Sequence, residues 1–102
     1  HMALDFHRLD NNEHLFGLGD KTLHDLSDIF ETFTHWTGLI IDPYGDLKLS
    51  TENQQTIIAI IEKYIEATDL NKDKVKTSNI LEFKGLLKYF VKNKIDLELL
   101  GD

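Results

Sequence analysis

Apolar residues in this chain repeat with two different periods, and that switch restricts its fold more than any other feature. Leu4 and Phe6 alternate with polar neighbours, and Ile95, Leu97 and Leu99 alternate with Asp96 and Glu98, the period-two spacing of half-buried strands. Between these ends, Leu23, Leu26, Phe30 and Phe33 fall on one arc at 100° per residue, widened by Ile29 and Trp36. Ile57, Ile58, Ile61, Tyr64 and Ile65 make a second such arc, and Ile80, Phe83, Leu87, Phe90 and Val91 a third. A chain that holds both periods must bury helix stripes against a sheet, so the expected class is α+β.

The punctuation divides the elements. Asn11-Asn12 is a turn signal between two apolar stretches, so residues 3–18 read as a β-hairpin. Gly17 and Gly19 end its second strand, and Asp20 suits the N-cap of a helix over about residues 21–36 that stops at Gly38. Asp42-Pro43-Tyr44-Gly45 has the residues of a type I turn with a left-handed glycine, because Pro presets φ and Gly tolerates a positive one. Flanked by Leu39-Ile40-Ile41 and Leu47-Lys48-Leu49, it predicts a second hairpin across residues 39–49. Ser50 or Thr51 opens the next helix, Gln54 can reach back in a capping box, and the helix runs to about Thr68. A polar connection over residues 69–74 follows, and Asn79 with Glu82 looks like a further capping box for a helix ending near Asn93. A final short strand completes the order ββαββαα(β), with antiparallel hairpins and about three helices packed on the sheet.

This reading makes residues 3–102 a single α+β domain, with His1 and Met2 taken as an expression-tag remnant and initiator. There is no cysteine, which removes disulfides, thiolate zinc sites and a cysteine nucleophile together. Apolar runs reach only four or five residues and no signal peptide is visible, so the expected compartment is the cytoplasm, with no membrane partner.

Charge is unevenly spread. Before residue 71 there are 13 carboxylates against four cations; from there on there are five against seven lysines. A net −9 over the first part repels nucleic-acid phosphates and draws in basic proteins. Lys84, Lys88 and Lys92 share one face of the last helix, yet the only arginine is Arg8, so no nucleic-acid partner is expected. That lysine face also suits the acidic part of a second copy, a route to a homo-oligomer.

Five groups of residues invite chemistry. His24, Asp28, Glu31 and His35 are spaced by four, three and four on one helix face, the pattern of two imidazoles and two carboxylates around a metal. The same face lies opposite the apolar stripe, where polar residues simply meet water, so no metal or other cofactor is expected and a metal-dependent enzyme is the alternative reading. Asp69-Leu70-Asn71-Lys72-Asp73 copies the start of a calcium loop, but Lys74 stands where glycine is needed and Ile80 where a bidentate glutamate is needed. An Asx-rich turn between helices explains it better. Ser27, Ser50 and Ser78 lie in no nucleophile elbow, and Gly17-Leu18-Gly19 is not a phosphate loop, so no catalytic residue is assigned. His7 and His14 lie on facing strands of the first hairpin, within reach of each other, though a surface pair of this kind is commonly just solvated.

What remains is a surface. Asp20, Asp25, Asp28 and Glu31 on the first helix, with Asp42 and Asp46 on the turn, lie near Trp36 and Tyr44 in the sequence. Aromatics anchor protein interfaces while carboxylates steer a basic partner onto them. In size, acidity, lack of cysteine and α+β make-up, the chain resembles the small immunity proteins that neutralise bacterial nuclease toxins. That resemblance implies an inhibitor, not an enzyme, covering a basic toxin domain with a carboxylate-rich surface.

Overall fold

The computed structural model describes residues 3–101; the reading of His1 and Met2 as tag and initiator lies outside the described residues. The chain runs β1 (Ala3–Arg8), β2 (His14–Gly19), α1 (Asp20–Asp25), α2 (Ser27–Thr37), β3 (Leu47–Leu49), α3 (Thr51–Ala67), α4 (Lys74–Lys92) and β4 (Leu97–Gly101). The strands form one antiparallel sheet in the order β2-β1-β4-β3. The fold is α+β, as the two apolar periods require.

The first hairpin forms as its alternation predicts. Leu4 pairs with Leu18 and Phe6 with Phe16, and a bulge after Phe6 shifts the register so that His7 meets His14. At the turn Asn12 takes a φ of 62°, a left-handed conformation that asparagine tolerates, and Asn11 Oδ1 accepts the Glu13 N–H at 2.9 Å. On the inward face the Phe6 and Phe16 rings stack at 4.4 Å, and Phe16 stacks in turn on Phe90 of α4 at 6.1 Å.

The second hairpin does not form. The turn itself is present: the Gly45 N–H points to the Asp42 carbonyl at 3.4 Å and the Tyr44 N–H donates to Asp42 Oδ1 at 2.6 Å. Gly45 is not left-handed, however; among the described glycines only Gly38 has a positive φ. Residues 39–41 remain irregular, and β3 pairs instead with β4, Leu47 opposite Leu99 and Leu49 opposite Leu97. The reason is burial on one face. Leu97 and Leu99 are both buried and pair with Leu49 and Leu47, whereas in residues 39–41 only Ile41 is buried and Leu39 packs against the core half-exposed.

The helices carry four further corrections. The first predicted helix is two helices that meet at Leu26, whose φ of −92° and ψ of 0° kink the axis while its N–H still bonds to Thr22 O at 3.0 Å. Asp20 is the first residue of α1 and not its cap; Gly19 holds that position without a side-chain bond. Ser50 caps α3 by accepting the Asn53 N–H at 3.2 Å, but Gln54 makes no capping box. Its side chain is wholly buried and donates to Leu49 O at 3.2 Å and Ile95 O at 2.9 Å, joining β3 to the approach of β4. Finally, α4 opens at Lys74 under an Asp73 cap that accepts the Lys76 N–H at 3.0 Å, so Asn79 is interior. The extra turn was hidden because its only apolar residue before Asn79, Val75, points to solvent.

The core lies between the sheet and the helices. Leu4, Phe6, Leu49, Leu97 and Leu99 from the strands meet Leu26, Ile29, Phe33, Ile57, Ile61, Ile80, Phe83 and Leu87 from the helices in one contiguous cluster. Truncating a residue such as Phe33 to alanine would cost roughly 3–5 kcal/mol, a large part of what a domain this small has. Gly38 ends α2 in the left-handed conformation, with its N–H on Thr34 O at 2.7 Å, and releases the connection that shapes the site. Among the described residues, no helix is long and apolar enough to cross a membrane.

Candidate partner-binding face

The residues assigned to a partner surface do not all reach it. Asp25 is 9% exposed, and Asn79 Nδ2 donates to its Oδ2 at 2.8 Å, so this carboxylate is turned toward α4 and belongs to the interior. Asp20, Asp28 and Glu31 are exposed. Asp28 is partly neutralised by Lys76 Nζ at 3.7 Å. On the turn, Asp42 Oδ1 holds the Tyr44 N–H and Asp46 Oδ1 accepts the Gly101 N–H at 3.2 Å, so both acids also brace the loop. Glu31 forms no ion pair among the described residues.

The two aromatics are exposed, Trp36 by 49% and Tyr44 by 75%. Ile40, which the sequence reading placed in a strand, joins them at 62%. Large apolar side chains held in water so close together in the chain are the usual make-up of a contact surface.

Two hollows flank α2. One, of about 370 Å³, lies between the helices and the connection to β3; Leu23, Phe30, Ile40, Ile41 and Pro43 give it apolar walls, with Ser27, Glu31 and Thr34 as its polar lining. The other, of about 190 Å³, lies between α2 and α3 against Trp36, Ile60 and Tyr64. It is already furnished with cations. Lys63 Nζ sits 5.2 Å from the centre of the Trp36 ring, and Lys76 Nζ lies 5.8 Å from that of Tyr64. Burial pulls the Lys76 ammonium down, but Tyr64 and Asp28 together outweigh it and hold it charged above the ordinary lysine range. The first hollow has no cation in its lining.

Other predicted groups fall as follows. His24 lies on α1 and Asp28, Glu31 and His35 on α2, beyond the kink. Among the described residues, no three histidine or carboxylate side chains are grouped so as to hold a metal ion. Asp69 Oδ1 accepts the Asn71 N–H at 3.0 Å and Asp73 caps α4, so the residues of the calcium-like motif serve an Asx turn and a helix start. The His7 and His14 rings do face each other, with centres 5.1 Å apart; His14 Nε2 lies 3.0 Å from Asp5 Oδ1 and His7 Nδ1 lies 3.1 Å from Asn12 O. Of the lysine face, Lys84 pairs with Glu62 at 3.5 Å, while Lys88 and Lys92 are exposed.

The sequence did not mark the wall formed by Ile40, Ile41 and Pro43. It exists only because residues 39–41 decline to pair as a strand, and no local pattern announces that. Compared with known proteins, the chain matches no family model, no curated protein and no solved structure at a significant level.

Proposed function

We propose that this protein is a binding inhibitor of the immunity-protein kind, which neutralises a basic, nuclease-type toxin domain by covering it. The observation that carries the reading is the exposed face of α2 and its following connection. There Ile40 stands in solvent at the hollow that Glu31 lines, Trp36 is exposed at the other flank of α2, and Tyr44 is exposed on the turn that follows, all in the part of the chain that has 13 carboxylates to four cations. Such a face fits a cationic protein surface: the carboxylates steer the encounter and the aromatics supply contact area. The working partners are therefore a basic protein and neither nucleic acid nor membrane, and the compartment proposed is the cytoplasm, where a cysteine-free chain has nothing to lose.

The test is to capture the partner from the native cell, identify it and assay it with and without this chain. A basic enzyme whose activity on nucleic acid falls in proportion to added inhibitor, with an association rate that drops steeply from low to physiological salt, is the expected result. A captured partner that is acidic, or whose activity this chain leaves untouched, would sink the reading.

A further inference from the structure

The geometry points to a specific chemistry for what docks in the 370 Å³ hollow beside α2: one apolar side chain flanked by arginine or lysine, presented by the basic partner. This inference rests on the inhibitor reading and narrows it from a charged surface to a socket with a selectivity of its own.

Three observations select that occupant. The walls of the hollow are hydrocarbon from Phe30, Ile41 and Pro43, and its volume admits a side chain of leucine or phenylalanine size with room left for part of the segment that carries it. Its only charged liner is Glu31, exposed and without an ion pair among the described residues, so an entering chain gains if it carries a cation next to the apolar group. Ile40 stands at the lip with 62% of its surface in water, an apolar area that a bound segment would cover. The neighbouring hollow lacks this combination, because Lys63 and Lys76 already occupy its aromatics and Asp28. The first hollow alone of the two thus pairs an apolar socket with an unanswered carboxylate.

The division of labour follows from magnitudes. An exposed carboxylate–guanidinium contact changes an affinity by only a few-fold, so Glu31 by itself sets little beyond direction. Burying a leucine-sized side chain is worth more, which makes the socket the source of selectivity among basic partners.

The experiment uses the whole ¹⁵N-labelled chain and three capped pentapeptides: leucine between two pairs of arginine, glycine between the same pairs, and leucine between two pairs of glutamate. The leucine–arginine peptide should move the amide signals of Ser27, Glu31, Thr34 and Ile41 and bind at least about fivefold more tightly than the glycine peptide. The glutamate peptide should not saturate, and Glu31→Gln should weaken the leucine–arginine peptide about threefold at low salt. If both arginine peptides bind equally, or their shifts map away from α2, the socket is overturned while the basic-partner reading stands. If neither binds, both fall. Sedimentation of the free chain supplies the remaining arm: a dimer whose formation shifts these same signals would show that a second copy takes the socket, and would overturn the proposal.

Discussion

The side-chain amide of Asn79 donates a 2.8 Å hydrogen bond to Asp25 Oδ2, fastening the end of α1 to the second turn of α4. Asp25 is largely buried there, so its carboxylate depends on that donor. Asn79→Ala should lower stability by about 1–3 kcal/mol in urea, the usual cost of leaving a buried acceptor unpaired. Asn79→Asp should cost more at neutral pH, since it sets two carboxylates against each other. An unchanged urea midpoint in both variants would mean that water already serves Asp25.

Gln54 makes a second prediction about the interior. Its Nε2 donates to the carbonyls of Leu49 and Ile95, while its Oε1 has no partner among the described residues. Gln54→Leu removes the orphaned oxygen but strands both carbonyls, and the expected net is a loss of about 2 kcal/mol. Amide exchange should quicken across β3 and β4, where the bridge sits. A variant as stable as the parent would show that the two carbonyls find other donors.

Two glycines should respond in opposite senses to alanine. A Cβ on Gly101 would stand 2.5 Å from the Pro43 carbonyl oxygen, so Gly101→Ala must push the turn off β4, at about 1–3 kcal/mol. A Cβ on Gly85 would meet nothing within 4 Å, and the residue sits inside α4, so Gly85→Ala should add about 0.5–1 kcal/mol. Thermal melts of the pair decide this, and a shared sign would contradict it.

Lys76 sets a pH dependence. Its ammonium is held charged above the ordinary lysine range in the folded protein, so its contribution is full below that range and fades as pH climbs through its folded value. Lys76→Met should therefore melt below the parent at neutral pH, with the gap closing in strongly alkaline solution. A gap that stays constant would assign the effect to packing on Tyr64 alone.

Periodic stretches were readable from the sequence; pairings between distant stretches were not. The apolar faces of α2, α3 and α4 and the hairpin of Leu4, Phe6, Phe16 and Leu18 follow from spacing alone, because neighbours in sequence decide them. The turn at Asp42-Pro43-Tyr44-Gly45 was equally visible, but turn chemistry fixes only a local reversal. Whether Leu47 and Leu49 pair with residues 39–41 or with Leu97 and Leu99 is settled by a competition for the sheet that no local window contains. The site inherits the same limit. Trp36, Tyr44 and Glu31 were visible as candidates, whereas the socket wall of Ile40 and Pro43 depends on the losing side of that competition. Asp25 was misplaced for a related reason: its partner, Asn79, stands 54 positions away, and no local window contains both.

The strand order β2-β1-β4-β3 puts the last element of the chain between two made much earlier. During synthesis β1, paired only with β2, must wait with one open side, and β3 must wait with no strand partner at all, until residues near 100 emerge, so the sheet cannot close progressively as the polypeptide grows. Folding of this protein is accordingly a late, all-together event with long loops to shut, slow for its size, and the half-made chain is the form most exposed to sticking and to proteases.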